Sequence, residues 1–154
     1  MPGTAQSLRP AIIIDVDGTL ADVSGIRHYV ADPRNRNFTK FHAAASYVDP
    51  HHAVVAVARA LHDRGFTIIV VTARRSRWRY ATTVWLRKWE IDYDLLLMRR
   101  DADGRPDVEV KREILARIRR DFTVVLAIDD NPGVLQLWRT SGIPAVRVPG
   151  WTDD

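Results

Sequence analysis

The sequence predicts a doubly wound α/β domain, with a mostly parallel sheet carrying helices on both faces. Three features lead there: short unbroken apolar runs of strand length, helical patterns between them, and acidic or hydroxyl residues at the ends of the runs. Strands covered on both faces read as continuous Val, Ile and Leu stretches, because neither side chain direction meets water. Strands that alternate with helices join through right-handed crossovers and so lie parallel.

The first run is residues 11–15 (AIIID), and residues 66–72 (FTIIVVT), 94–98 (DLLLM) and 123–129 (TVVLAID) follow. A short fifth strand is expected at residues 145–148. Residues 52–64 (HAVVAVARALHDR) form a helix that stops at Gly65, a residue suited to the left-handed position after a helix. In residues 78–89 the spacing of Trp78, Thr82, Trp85, Leu86 and Trp89 is helical, and in 107–120 so is that of Val108, Ile114, Leu115 and Ile118. Residues 132–140 supply a last helix. The exception is an insert of about thirty residues, 21–50, with weak periodicity apart from a short helix expected within 38–47. A connection that long in a compact domain is usually a lid or binding loop.

At 154 residues and 46% hydrophobic content the chain has the size of one domain, here residues 1–154. Cysteine is absent, so disulfides and thiolate metal sites are excluded. The opening residues lack a signal-peptide core and no apolar run reaches membrane-span length, so a soluble, cytoplasmic protein without membrane contact is expected. Lys and Arg number 23 against 19 Asp and Glu, with arginine far outnumbering lysine. Arginine forks suit phosphate. An arginine-rich surface also follows from codon usage alone, so charge by itself establishes no nucleic-acid partner.

In open α/β sheets ligands bind beyond the carboxyl ends of the strands. The residues leaving the strands there are Asp15-Val16-Asp17-Gly18-Thr19, Thr72-Ala73-Arg74 and Asp129-Asp130-Asn131. Four carboxylates in one crevice repel one another unless a cation sits between them. Oxygen-only ligands, with Thr, Arg and Lys available for phosphate, point to Mg²⁺. A calcium loop starting at Asp15 fails, because Thr19, Leu20 and Ile26 stand where an acid or amide, Gly and Glu are needed. A P-loop reading of VLAIDD fails for want of any GxxxxGK[ST]. A non-catalytic, receiver-like phosphate-sensing domain would carry its acidic pair on the first strand and its phosphoacceptor later, the reverse of the order here.

Together these residues resemble the haloacid dehalogenase (HAD) phosphatases and their Rossmann-like sheet. Asp15 to Leu20 matches the DxDGT(L) motif, Thr72 the second motif, Lys111 the third and Asp129-Asp130 the fourth, in the family's order over nearly the whole chain. Within that superfamily the chain is most similar to the 3′-phosphatase domain of phage-type polynucleotide kinase–phosphatase. Thr72-Ala73-Arg74 matches S/T-x-R, Asp107 to Lys111 matches D-x-x-x-K, and LAIDD ending at Asp130 is followed by Val134 and Trp138. Ala73 departs from the usual Gly, and Arg27 falls about one position from a phosphate-binding arginine of that group.

The resemblance implies an Mg²⁺-dependent phosphomonoesterase. Asp15 would be the nucleophile forming an aspartyl-phosphate, and Asp17 would protonate the leaving group and then activate water. Thr72 and Lys111 would neutralise phosphoryl oxygens, Gly18 and Thr19 would let backbone groups approach them, and Arg74 and Arg27 would bind the substrate phosphate. Mg²⁺ would be held by an Asp15 oxygen, the Asp17 carbonyl and Asp129, with Asp130 either a ligand through water or an orienter of Lys111. The expected substrate is the 3′-phosphate end of DNA or RNA. A 5′(3′)-nucleotidase or small-metabolite phosphatase is the alternative. A kinase or ligase module in trans and a homo-oligomer are both compatible with the sequence. Arg75, Arg77, Arg99 and Arg100 are expected near the mouth of the site.

Other residues have simpler readings. Asp107 is either a helical ion-pair partner of Lys111 or a residue behind the site. Trp78, Trp85 and Trp89 are read as core. No role is assigned to His28, His42, His51, His52 or His62.

Overall fold

The computed structural model describes residues 7–149. Five strands, β1 (Arg9–Ile14), β2 (Thr67–Arg75), β3 (Leu95–Arg99), β4 (Phe122–Asp129) and β5 (Ala145–Arg147), form one sheet in the order β3-β2-β1-β4-β5. Every pairing is parallel. The chain winds outward from β1 to β3 and then returns to the other side with β4. This puts the topological switch point, where the crevice opens, at the ends of β1 and its two neighbours.

Alternate side chains on the strands face opposite layers, and the core divides accordingly. Ile12, Ile14, Ile68 and Val70 pack with α2 (His52–Asp63) and α3 (Arg79–Lys88) through Val55, Ala58, Trp85 and Leu86. Ala11, Ile13, Ile69 and Val71 pack with α4 (Asp107–Ile118) and α5 (Pro132–Thr140) through Ile114, Leu115, Leu135 and Trp138. Both faces of β1 are thus sealed, the reason its apolar run does not alternate. Local signals agree with the ends: Asn131 caps α5 through its side chain with Pro132 in the first turn, and Asp107 and Glu109 lie at the positive end of α4. Among the described residues no helix is long and apolar enough to cross a membrane.

Two stretches differ from the sequence expectation. β2 continues to Arg75 rather than stopping at Thr72, with its register against β3 shifting between those residues. Such an irregularity re-aims side chains at a strand end. Arg74 is turned inward and is only 2% exposed. The tryptophan stripe is also split: Trp85 is core, whereas Trp78 and Trp89 are partly buried, and Trp78 ends a 3₁₀ turn (Ser76–Trp78) instead of opening α3.

The insert after β1 contains a 3₁₀ turn (Ser24–Tyr29) and α1 (Phe38–Ala45). Val23, Val30, Phe41 and Ala45 sink into the core, Ala21 bridges to Pro50, and the Trp85 indole donates to the Val48 carbonyl at 2.9 Å. The insert is therefore a low wall pinned at its base.

The turn leaving β1 is tight. Gly18 has φ +82°, and a Cβ built there would stand 2.1 Å from Asp130 Oδ2. An L side chain in that backbone region costs about 1–3 kcal/mol. Gly18→Ala should lower Tm by at least about 2 °C, the change expected per kcal/mol for a chain of this size. Because Asp130 must also move, any activity that draws on Asp130 should fall much more than stability; a variant with wild-type activity would show that the contact yields freely.

Candidate active site

Ile14 pairs with Ile128, and the Asp15 amide donates to the Ile128 carbonyl at 3.1 Å, so β1 and β4 end side by side. Asp15 and Asp129 consequently leave adjacent strands at the same level. Lys111, one turn into α4 on its sheet-facing side, lies between them: its Nζ is 2.9 Å from Asp15 Oδ1 and 2.8 Å from Asp129 Oδ2. All three side chains are buried.

The remaining bonds settle how each carboxylate is held. Asp129 Oδ1 accepts from the amides of Asp130 and Asn131 at 2.9 and 3.1 Å, and its Oδ2 also accepts from the Trp138 indole at 3.4 Å. The Thr19 hydroxyl lies 3.3 Å from both Asp15 Oδ2 and Asp130 Oδ1 and can donate to one of them at a time. Lys111 is oriented by Asp15 and Asp129, and Asp130 makes no bond to it; of the two roles expected for Asp130, orienting Lys111 is not the one seen. Thr72 is buried at the adjoining strand end, where its hydroxyl accepts from the Arg74 amide at 3.2 Å.

Asp17 points to the other side of the crevice. Arg74 grips it in a two-pronged ion pair, Nε to Oδ2 at 2.9 Å and Nη2 to Oδ1 at 2.6 Å, and Arg74 Nη1 donates to Thr82 at 3.0 Å. Two of the five guanidinium N–H groups remain for another acceptor. Arg27 lines the same cleft from the insert.

Charge explains the electrostatics. Burial, together with the neighbouring Asp129, Asp130 and Asp17, pushes Asp15 well above the usual carboxylate range against the pull of Lys111. Burial and the charge of Asp129 push Asp130 up to about 6. Burial disfavours the Lys111 cation, but Asp129 and Asp15 more than offset it and hold the ammonium charged. Burial likewise opposes the Asp17 charge, and the Arg74 guanidinium overcomes it, holding Asp17 below its ordinary value.

The residues fit a hard divalent cation. Ligand oxygens of Asp15, Asp129 and Asp130 all lie within 4.8 Å of one another. Four carboxylates, Asp15, Asp17, Asp129 and Asp130, face two buried cations, Arg74 and Lys111. The two negative charges left over match one divalent ion. No hydrogen bond among the described residues ends on the Asp17 carbonyl, which leaves it available as a further oxygen ligand.

These groups line a cleft of about 860 Å³ whose rim carries Arg36, Arg75, Arg77 and Arg105. Of the expected mouth residues, Arg99 lines the cleft and Arg100 does not. Arg99 is largely buried, donating to the Ala73 and Asp103 carbonyls and to Asp107 at 2.6 Å, so it also staples the start of α4 to β2. Asp107, four residues before Lys111, pairs with Arg99 and not with Lys111. Arg100 is exposed and pairs with Glu113 at 3.7 Å. The sequence assigned no site role to Arg36, Phe38, His42 or Arg105, which line the cleft, Phe38 and His42 from the short helix expected within 38–47 and the two arginines from segments without a motif.

Comparison with known proteins fits this geometry. Residues 9–150 match the family model of the polynucleotide kinase PNKP phosphatase domain. Over 139 residues the chain is 29% identical to a protein of Autographa californica nuclear polyhedrosis virus named as a bifunctional polynucleotide kinase/RNA ligase, covering 88% of this chain and 19% of that one. A chain of the Pnkp1/Rnl/Hen1 complex superimposes with a TM-score of 0.81 at 32% identity, over 96% of this chain and 48% of its own length. The present chain thus spans half or less of these relatives. A class C acid phosphatase from Bacillus anthracis shares the fold, with a TM-score of 0.67 at 15% identity, over 97% of this chain and 70% of that one. On the family match and the shared α/β architecture, the chain belongs to the polynucleotide kinase PNKP phosphatase-domain family of HAD-type phosphoric monoester hydrolases.

Proposed function

We propose that the chain removes the 3′-phosphate from polynucleotide ends through an aspartyl-phosphate at Asp15, with Mg²⁺ as cofactor. The unbalanced carboxylates of Asp15, Asp129 and Asp130 around Lys111, at the floor of an arginine-rimmed cleft, carry this reading. Asp15, Asp129, Asp130 and the Asp17 carbonyl would hold the ion. When bound it supplies positive charge that keeps Asp15 ionised and offsets charge building on the phosphoryl oxygens.

Asp15 attacks phosphorus in line, the Asp15–phosphorus bond forms as the bond to the 3′-oxygen breaks, and Asp17 gives that oxygen its proton. Water then attacks the phosphoaspartate, Asp17 takes the water's proton, and inorganic phosphate leaves with Asp15 restored. Arg74 holds Asp17 ionised in the structure described here. The dianion of a bound phosphate monoester counteracts Arg74 and returns Asp17 toward the protonated form. Thr72, Lys111 and the two spare N–H groups of Arg74 meet the equatorial oxygens, and Arg27 approaches from the insert. A kinase or ligase module acting beside this domain is consistent with the names of the relatives.

Hydrolysis of a 3′-phosphorylated oligonucleotide should require Mg²⁺ and be abolished by Asp15→Asn. If rim arginines hold backbone phosphates, its kcat/KM should fall with salt more steeply than that of a 3′-mononucleotide over about 50–200 mM. A mononucleotide that is better at every salt concentration would favour a nucleotidase instead.

Asp17→Asn should lose about 10²–10⁴-fold on the oligonucleotide and clearly less on an aryl phosphate, whose leaving group needs little protonation. Equal losses on both would exclude the acid role.

In metal-free protein, Asp130 is raised to about 6, so its favourable contribution is present below the ordinary carboxylate value and lost as pH rises through about 6. Asp15 is raised as well and acts in the same direction. Mg²⁺ should relieve this repulsion, adding about 1.4 kcal/mol at ten times its Kd. The Mg²⁺-induced rise in Tm should therefore be larger at about pH 7.5 than at about pH 5, and a rise independent of pH would speak against a carboxylate site.

A further inference from the structure

The wall of the cleft next to Asp17 is aromatic. Phe38 and His42 stand one helical turn apart on α1 with ring centroids 6.2 Å apart and planes inclined by 26°, and Trp78, from the turn after β2, lies 5.8 Å beyond His42. All three line the cleft. Phe38 keeps 53% of its surface exposed, whereas Phe41 on the same helix is in the core. So α1 commits one phenylalanine to folding and leaves the other facing solvent at the cleft.

His42 is close enough to Asp17 for that carboxylate to act on its charge, and burial lowers its pKa to about 4, so near neutral pH the ring is uncharged and can stack. Its buried Nδ1 has no hydrogen-bond partner. Arg36, two residues before Phe38, lines the same wall and makes no ion pair among the described residues.

The leaving 3′-oxygen must lie within reach of Asp17, and the nucleoside bonded to it must then run along the wall that begins there. We propose that the row Phe38, His42 and Trp78 receives the base of the 3′-terminal nucleotide, Phe38 offering the open stacking face, while Arg36 meets the phosphate preceding that nucleotide. The subsite rests on the reading of Asp17 as proton donor to a polynucleotide 3′-phosphate. Every base has a π-face, so the subsite recognises the presence of a base with little preference for its identity.

The test compares two 3′-phosphorylated oligonucleotides, one with an ordinary terminal nucleotide and one whose terminal base is replaced by hydrogen, with an aryl phosphate as a third substrate. Phe38→Ala should raise KM for the base-bearing end at least about fivefold more than for the abasic end, the low limit for losing one stacked base. Phe38→Tyr should restore the difference, and Phe38→Leu, which keeps apolar bulk without a ring face, should not. The same order should appear in direct binding of the base-bearing oligonucleotide to the Asp15→Asn variant, measured by fluorescence anisotropy. Equal effects on both oligonucleotides, or rescue by Leu, would overturn the subsite while leaving the phosphatase reading standing. Turnover of the aryl phosphate with no turnover of either oligonucleotide would remove the polynucleotide reading and the subsite together.

Discussion

Lys111 is the charge on which the rest of the site depends. It lies buried between Asp15 and Asp129, two carboxylates that adjacent strands bring to the same level. Without an ammonium there, parallel pairing of β1 and β4 would force two buried negative charges together. Removing one partner from a buried pair of this kind leaves an uncompensated charge, worth about 3–5 kcal/mol. Lys111 is charged for the same reason that its neighbours tolerate one another. It cannot neutralise everything: Asp130 and Asp17 add two more carboxylates, Arg74 adds one cation, and the remaining negative charge is of the size that one dication would offset.

The demand on Lys111 reaches into the scaffold. Its helix must begin close to the strand ends, and Arg99 secures that start by joining the Ala73 carbonyl on β2 to Asp107 at the first turn of α4. On the opposite flank the Trp138 indole ties α5 to Asp129, and the amides of Asp130 and Asn131 hold the other Asp129 oxygen. Core residue and site residue are hence one structure: Trp138 fills the layer beneath the sheet and at the same time donates to a candidate metal ligand.

The arginines divide by burial into two kinds. Arg74 and Arg99 are enclosed and have assigned partners, one fixing Asp17 and the other fixing a helix. Arg36, Arg75, Arg77 and Arg105 rim the cleft. Arg105 is not wholly available, since Asp103 and Glu113 hold it, and Arg77 pairs with Asp101 at 3.5 Å. Exposed pairs like these are weak in water, so a phosphate with two or more charges can draw such an arginine away at small cost. The rim thus carries arginines whose pairings are free to rearrange.

The strand cores, their parallel direction and the carboxylates at their ends were legible in the sequence, because burial on both faces leaves an unbroken apolar run and a switch-point site must draw on the residues just past it; the order of the strands around the DxDGT segment was not. Lys111 could be picked out only through its place in the family's order of motifs, since a lone lysine on a helix has no local signature. What the linear chain could not reveal was partnership. Arg74 and Arg99 look alike as strand-end arginines, yet a register shift in β2 turns Arg74 onto Asp17, and the packing of α4 draws Arg99 to Asp107. Nor could periodicity separate Trp85 in the core from Trp78 at the cleft, or show that Phe38 and His42, on the short helix expected in the insert, face that cleft. Sequence alone determined which elements form and which chemistry collects at their ends, because local burial and residue type decide both; only the tertiary structure decided which charge meets which and which rings face the cleft, because those contacts join segments far apart in the chain whose distances are set by packing.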